Sequence, residues 1–334
     1  MSLKSIAVSL GLSVTTVSRA LAGYSDVSEA TRERVRREAD RIGYVPNEVA
    51  RRLQKGRSDA IGLVLPGGPA VLEDPCCLDL ISGVWTRLAE FNLDLVVLPT
   101  LPGQQEERIY RRLAEGRRVD GLILTRVRES DPRVEYLRSI QFPFVTLDAA
   151  APGVGDVPYV HFDPVAAIRL LVERLVGLGH RDIVLLGNDD GYRFVQARTA
   201  AFETECARLG LKPKVRIGAL SEAGGRQVLT ELIGAGETPS AVIGVNDRMA
   251  IGAVRALADH GLEVGSDVSV VAFGDSRLAD YVVPALTIVR APLKEMAHAA
   301  VDILVGLRDG IGAKGRTDWP VELLVRGSDG PPRH

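Results

Sequence analysis

The chain has 334 residues, 46% of them hydrophobic, enough for two or three domains with cores of their own. No apolar run approaches the length of a membrane span, no charged-then-apolar leader opens the sequence, and Cys76, Cys77 and Cys206 are too few and too unevenly spaced for a disulfide framework or a zinc site. The net charge of −2 hides an asymmetry: residues 1–57 carry eleven Lys/Arg against six Asp/Glu, and the remainder carries thirty against thirty-seven. A basic head on an acidic body points to a polyanion partner for the head alone. The expected setting is a reducing cytoplasm, with no membrane, metal or cofactor.

The first stretch, Leu3–Leu21, predicts two short helices around a tight turn. Leu3, Ile6, Ala7 and Leu10 share one helical face, Gly11 can end the helix with a positive φ, and Ser13 is a good N-cap for the next. In that second helix Val17 and Leu21 fall on one side, with Val14, Thr15, Ser18 and Arg19 on the other. Hydroxyls, an arginine and a valine methyl are what a major groove can meet. Helix–turn–helix spacing alone also fits ordinary helical hairpins. Ser28 caps a predicted third helix with Val35, Ala39 and Ile42 on one face and Gly43 at its end. Pro46–Arg57 reads as a short linker helix, too short to be stable alone.

Leu3–Gly23, Val27–Arg32 and Gly43–Asn47 together closely resemble the start of the LacI/GalR family of transcription factors. The resemblance implies a helix–turn–helix domain at 1–45, a hinge at 46–57 and an effector-binding, dimerising core at 58–334. It implies base reading by Val14, Thr15 and Arg19, and backbone contacts from Ser13, Thr16, Ser18 and Tyr44. It places Asn47, Ala50 and Leu53 in a hinge that meets the minor groove, with Leu53 wedging between base pairs. The expected partner is a near-palindromic operator read by a homodimer. One departure is Ala22, where the family usually has Asn.

From Ala60 short apolar runs alternate with helix-length periodic segments. Ile61–Leu65, Leu93–Leu98, Gly121–Leu124 and Phe144–Leu147 read as buried strands, and a second series runs through Tyr159–Phe162, Ile183–Leu186, Val215–Ile217, Val242–Val245 and Ser269–Phe273. Such alternation predicts an α/β protein with parallel sheets, and two series predict two lobes. The resemblance implies a periplasmic-binding-protein-like core, with lobe 1 at about 59–158 and 291–319 and lobe 2 at about 159–290 and 320–330. Leu286–Ala291 would be a crossover. Ligands of open parallel sheets gather beyond the strand C-termini. Arg126, Asp148, Arg198, Asn246 and Asp275 stand at such positions or in the matching family segments, and suit a polyhydroxylated effector, expected to be a sugar. Each also has a plain structural reading, such as strand ending by Asp148, and Asp247 beside Asn246 could simply cap its helix. Gly274 and Ala149 stand where the family often has an acid and a base. Arg126 and Arg128 could compensate, or accept a charged ligand.

No phosphate-loop, dinucleotide or nucleophile-elbow motif stands in the right context. The expected function is therefore a ligand-responsive repressor of carbohydrate-utilisation genes, not an enzyme. Two alternatives stay open: a solute-binding protein would need an export signal and no basic head, and an α/β enzyme would need a nucleophile or cofactor motif.

Overall fold

Hydroxyl caps and glycine stops divide the N-terminal region of the computed structural model into three helices, α1 (Leu3–Leu10), α2 (Val14–Leu21) and α3 (Glu29–Ile42). The structure describes residues 2–44, 56–67, 69–101, 104–147, 157–274, 277–311 and 316–333, in two units, Met1–Ser58 and Asp59–His334. Ser2, Ser13 and Ser28 each accept the backbone N–H three residues on, satisfying a donor that the first helical turn leaves open. Gly11 and Gly43, at φ +65° and +63°, turn the chain out of α1 and α3. Ile6, Ala7, Val17, Ala20, Val27, Val35 and Ala39 are buried between the three helices, a thin core that leans on its caps.

The second unit runs β1 (Ala60–Pro66), a 3-10 turn (Pro69–Glu73), α4 (Pro75–Glu90), β2 (Asp94–Thr100), α5 (Gln104–Ala114), β3 (Gly121–Leu124), α6 (Pro132–Ser139), β4 (Phe144–Leu147) and β5 (Tyr159–Phe162). It continues through α7 (Pro164–Gly177), β6 (Ile183–Gly187), α8 (Arg193–Arg208), β7 (Lys214–Ile217), α9 (Glu222–Gly234), β8 (Ala241–Gly244), α10 (Asp247–Asp259) and β9 (Ser269–Phe273). It closes with α11 (Leu278–Tyr281), β10 (Thr287–Arg290), α12 (Leu293–Arg308), β11 (Arg316–Trp319) and β12 (Glu322–Leu324). Two six-stranded sheets result, ordered β11-β5-β4-β3-β1-β2 and β12-β10-β9-β8-β6-β7. Among the described strand pairings within the two sheets only β10 with β12 is antiparallel. Every residue of β1, β3, β4, β6, β8 and β9 is buried. Helices cover both faces of these strands, which is why they read as unbroken apolar runs.

One lobe boundary differs from expectation, and one segment expected to be a crossover holds a strand. Tyr159–Phe162, expected to open lobe 2, is β5 of the first sheet, parallel to β4 with Thr146 opposite Tyr159. No helix separates β4 from β5 among the described residues, so alternation of strand and helix carries no signal there. The chain leaves the first sheet after β5, where Asp163 caps α7. Leu286–Ala291, expected to be a crossover, contains β10, paired with β9 in the second sheet. The crossing falls at Ala291–Pro292, and α12 then packs on α4, β3 and β4 of the first lobe. A third crossing lies between β11 and β12.

One buried charge cluster fixes the loop after β3. Arg133, almost wholly buried, donates to Asp131 (2.6 Å), Glu106 (3.0 Å) and the carbonyls of Thr125 (3.2 Å) and Arg126 (3.0 Å). Burial alone would raise the Asp131 pKa, but the Arg133 guanidinium holds it below the ordinary value.

Candidate functional site

In the head, α2 presents the side chains that its sequence pattern sets on one face. Val17 and Ala20 are buried, while Val14 is 44% exposed and Thr15 and Arg19 are also exposed. Ser18 and Thr16 are half-buried. Ser13 Oγ accepts from the Thr16 N–H at 3.0 Å and lies 2.8 Å from Thr16 Oγ1, so the two hydroxyls cap the helix together. Tyr44 is half-buried against the head's core. Asn47, Ala50 and Leu53 lie outside the described residues. Arg34, Arg36 and Arg37 of α3 are exposed, whereas Glu38 is turned inward to accept from Arg41 and Ser9. Those two donors hold its carboxyl at about 2, well below the ordinary carboxylate value.

In the second unit, residues that follow the strands of both lobes surround one cavity of about 130 Å³. Thr125 and Arg126 follow β3, Leu147 and Phe162 end β4 and β5, Asn246 and Asp247 follow β8, and Phe273 and Gly274 stand at the end of β9. Three predicted residues thus meet: Arg126, Arg198 and Asn246. Asp148 and Asp275 lie outside the described residues.

Arg198 sits at the cavity's aromatic wall. Its Nη1 donates to the Val245 carbonyl at 2.7 Å. Its Cζ lies 3.8 Å from the Phe273 ring centroid, 4.8 Å from Phe194 and 5.5 Å from Phe162. Phe162 and Phe273 stack at 4.8 Å. A guanidinium desolvated among ring faces gains cation–π attraction that partly replaces its lost water. Asn246 caps α10, its Oδ1 accepting from the Met249 N–H at 2.9 Å. Asp247, expected as a possible cap, instead accepts from the Arg248 N–H at 2.9 Å and is buried on the cavity wall.

Arg126, at φ +50°, reaches Asp74 at 3.4 Å, and its Cζ is 5.7 Å from the Tyr192 ring. Arg128 leans on the same ring from 5.4 Å and points to Glu106 at 3.7 Å, away from the cavity lining. Two backbone links join the lobes here, a bridge between Arg128 and Tyr192 and the Arg193 N–H on the Val127 carbonyl at 2.9 Å.

Sequence reasoning missed the aromatic wall and the Asp74–Cys76–Cys77 side of the cavity. That side is built by Asp74, the N-cap of α4, and by Cys76 and Cys77 in the helix's first turn. Burial pushes the Cys77 thiol up to about 12, so it stays neutral. The missing acid at Gly274 has a steric reason. A Cβ there would come within 2.8 Å of Asp247 Cγ, at a φ of +152° that disfavours any side chain.

Among the described residues no helix is long and apolar enough to cross a membrane. Residues 2–47 match the family model described as bacterial regulatory proteins, lacI family, and residues 172–328 match a periplasmic binding protein-like domain. The chain is 38% identical to the HTH-type transcriptional regulator RafR of Escherichia coli over 275 residues, covering 82% of this chain and 81% of that one. It is 33% identical to the HTH-type transcriptional regulator AglR of Rhizobium meliloti, covering 98% and 94%. Among solved structures, the lac repressor dimer bound to operator and the anti-inducer ONPF superposes with a TM-score of 0.87 at 28% identity, covering 99% of both chains. The complex of the transcriptional regulator CelR with cellobiose gives 0.76 at 28% identity, covering 98% and 99%.

Proposed function

The chain belongs to the LacI family of bacterial regulatory proteins, and from that premise we propose how its head and body divide the work. It is a ligand-responsive, sequence-specific DNA-binding transcription regulator. It acts in the cytoplasm as a repressor, by binding and not by catalysis. A two-fold homodimer reads the two halves of a near-palindromic operator. Val14, Thr15 and Arg19 meet base edges, and Ser13, Thr16, Ser18 and Tyr44 meet the phosphate backbone. Trp85 and Leu78 on α4, with Tyr281 and Val283 beyond β9, are large exposed apolar side chains that suit burial against the second copy.

The effector occupies the cavity between the lobes, held by Arg126, Arg198, Asn246 and Asp247, with Asp148 and Asp275 as further contacts. The carrying observation is that one cavity is walled by residues of both lobes, so its occupant has a different affinity for each lobe arrangement. Such a difference is what shifts an equilibrium. The wall also favours a neutral ligand. Arg126 already faces Asp74 and Arg198 already serves a carbonyl, while Asp247 adds a buried acid. A sugar offers hydroxyls to the acids and amide, and apolar ring faces to Phe194 and Phe273.

A thermal-shift screen of sugars, polyols and small acids identifies the effector, since a ligand of the native state raises its apparent stability. The hit is then titrated with a duplex enriched from a randomised pool. The expected result is a neutral sugar that changes duplex affinity about 5- to 150-fold, with the duplex changing sugar affinity by the same factor. Stabilisation by acids alone, or a sugar that binds without altering duplex affinity, overturns the reading.

A further inference from the structure

The arginine on the exposed face of α2 has two neighbours that the head's fold brings to it. After α2 the chain turns at Gly23, φ +75°, and Tyr24 N–H donates back to the Arg19 carbonyl at 3.1 Å. This fold-back sets Asp26 beside Arg19. Arg19 Nε donates to Asp26 Oδ1 at 3.3 Å, and Nη2 lies 2.6 Å from Oδ2. Both contacts use the same edge of the guanidinium. The Tyr24 ring meets its plane, with Cζ 4.9 Å from the centroid.

A guanidinium carries five N–H groups in a rigid fork. Asp26 engages the Nε–Nη2 edge and leaves the adjacent edge, formed by Nη1 and the second N–H of Nη2, with the parallel pair of donors that fits guanine O6 and N7. The acid also changes which anion Arg19 can approach. Laying this guanidinium along a phosphate would bring the Asp26 carboxylate, half exposed, toward a dense line of negative charge. A guanine edge presents acceptors without a full charge, so it bears that penalty least. Tyr24 limits rotation of the plane, so less side-chain freedom is lost on contact.

We propose that Asp26 is the positioning residue that gives Arg19 its base preference, trading raw affinity for discrimination, with Tyr24 as the platform beneath. The inference rests on the reading role proposed above for Arg19.

The test uses the full chain and the enriched duplex, all its single base-pair variants, and a random duplex of equal length. Fluorescence anisotropy titrations compare the wild type with Arg19→Ala, Asp26→Asn, Asp26→Glu and the double variant Arg19→Ala/Asp26→Asn. Arg19→Ala is expected to flatten the preference at one G·C pair per half-site by about 5- to 100-fold. Asp26→Asn is expected to flatten the same pair at least about 3-fold, to bind the random duplex about 2-fold more tightly, and to add nothing in the double variant. Asp26→Glu, which keeps the carboxylate, restores the preference. Random-duplex binding reports a folded head in every variant. If Asp26→Asn keeps the wild-type preference, or weakens every duplex equally, the role of Asp26 is overturned while the Arg19→Ala result still supports reading by Arg19. If Arg19→Ala leaves every preference intact, the reading role falls and the inference with it.

Discussion

Arg19 and Arg198 carry the same guanidinium into opposite surroundings. Arg19 is 45% exposed and held by one carboxylate and one ring. Arg198 is 4% exposed and held by a carbonyl and three rings. Water screens the first pairing and makes its contribution to stability small, and the donors it leaves open can meet DNA without displacing Asp26. The second is desolvated, so its partners cannot be removed without leaving a buried cation poorly compensated. The head therefore holds its arginine oriented but open to a partner from outside, and the body uses its arginine as a closed wall.

Replacing Arg198 with Met is the severest break in that contrast. The apolar side chain keeps much of the volume among Phe162, Phe194 and Phe273. Effector affinity by calorimetry should fall roughly 10- to 100-fold, as for loss of a charged hydrogen bond, while duplex affinity without effector stays near wild type. Gly274→Ala should act on the same wall through Asp247, because its Cβ collides with that carboxylate and the backbone resists the conformation. A stability loss of about 1–3 kcal/mol in urea melts is expected, with a weakened effector response.

The head yields smaller effects. Ser13→Ala removes the α2 cap and should cost about 1 kcal/mol of head stability, read by hydrogen exchange in α2. The smallest effect concerns pH. Folding lowers the Glu38 carboxyl from 4.5 to about 2, so its contribution is complete above the ordinary carboxylate range and drains away as pH falls toward 2. Glu38→Gln should flatten the pH dependence of head unfolding across that window, followed by circular dichroism.

The two regions also differed in how much the sequence disclosed. The head's faces follow the helical period and its stops follow Ser and Gly, so Val17 could be assigned inward and Val14 and Thr15 outward from spacing alone. Ala20, equally buried, is too small to carry a hydrophobic signal. The body's strands were legible as apolar runs, Arg126 and Asn246 as positions beyond strand ends, and Arg198, inside α8, only through its segment's resemblance to the family. The cage around Arg198 was not, because Phe162 and Phe273 come from different sheets and only the fold stacks them. The placement of β5 was hidden for a different reason: it pairs with its sequence neighbour β4 with no helix between them among the described residues, so strand–helix alternation marks no boundary there. Gly274 looked like a lost ligand contact, and only the geometry shows that Asp247 occupies the space an added side chain would need.

The three crossings between the sheets have a consequence for anyone building chimeras. The first sheet is completed by β11 and the second by β12, both from the last stretch of the chain, so neither lobe is a continuous piece of polypeptide. The head, uninterrupted from residue 2 to residue 44, can be grafted as a cassette onto another body. Half of the body cannot be transplanted with a single cut: a cut after β5 strips the first lobe of β11, one after β11 strips the second of β12, and one at Ala291–Pro292 strips both.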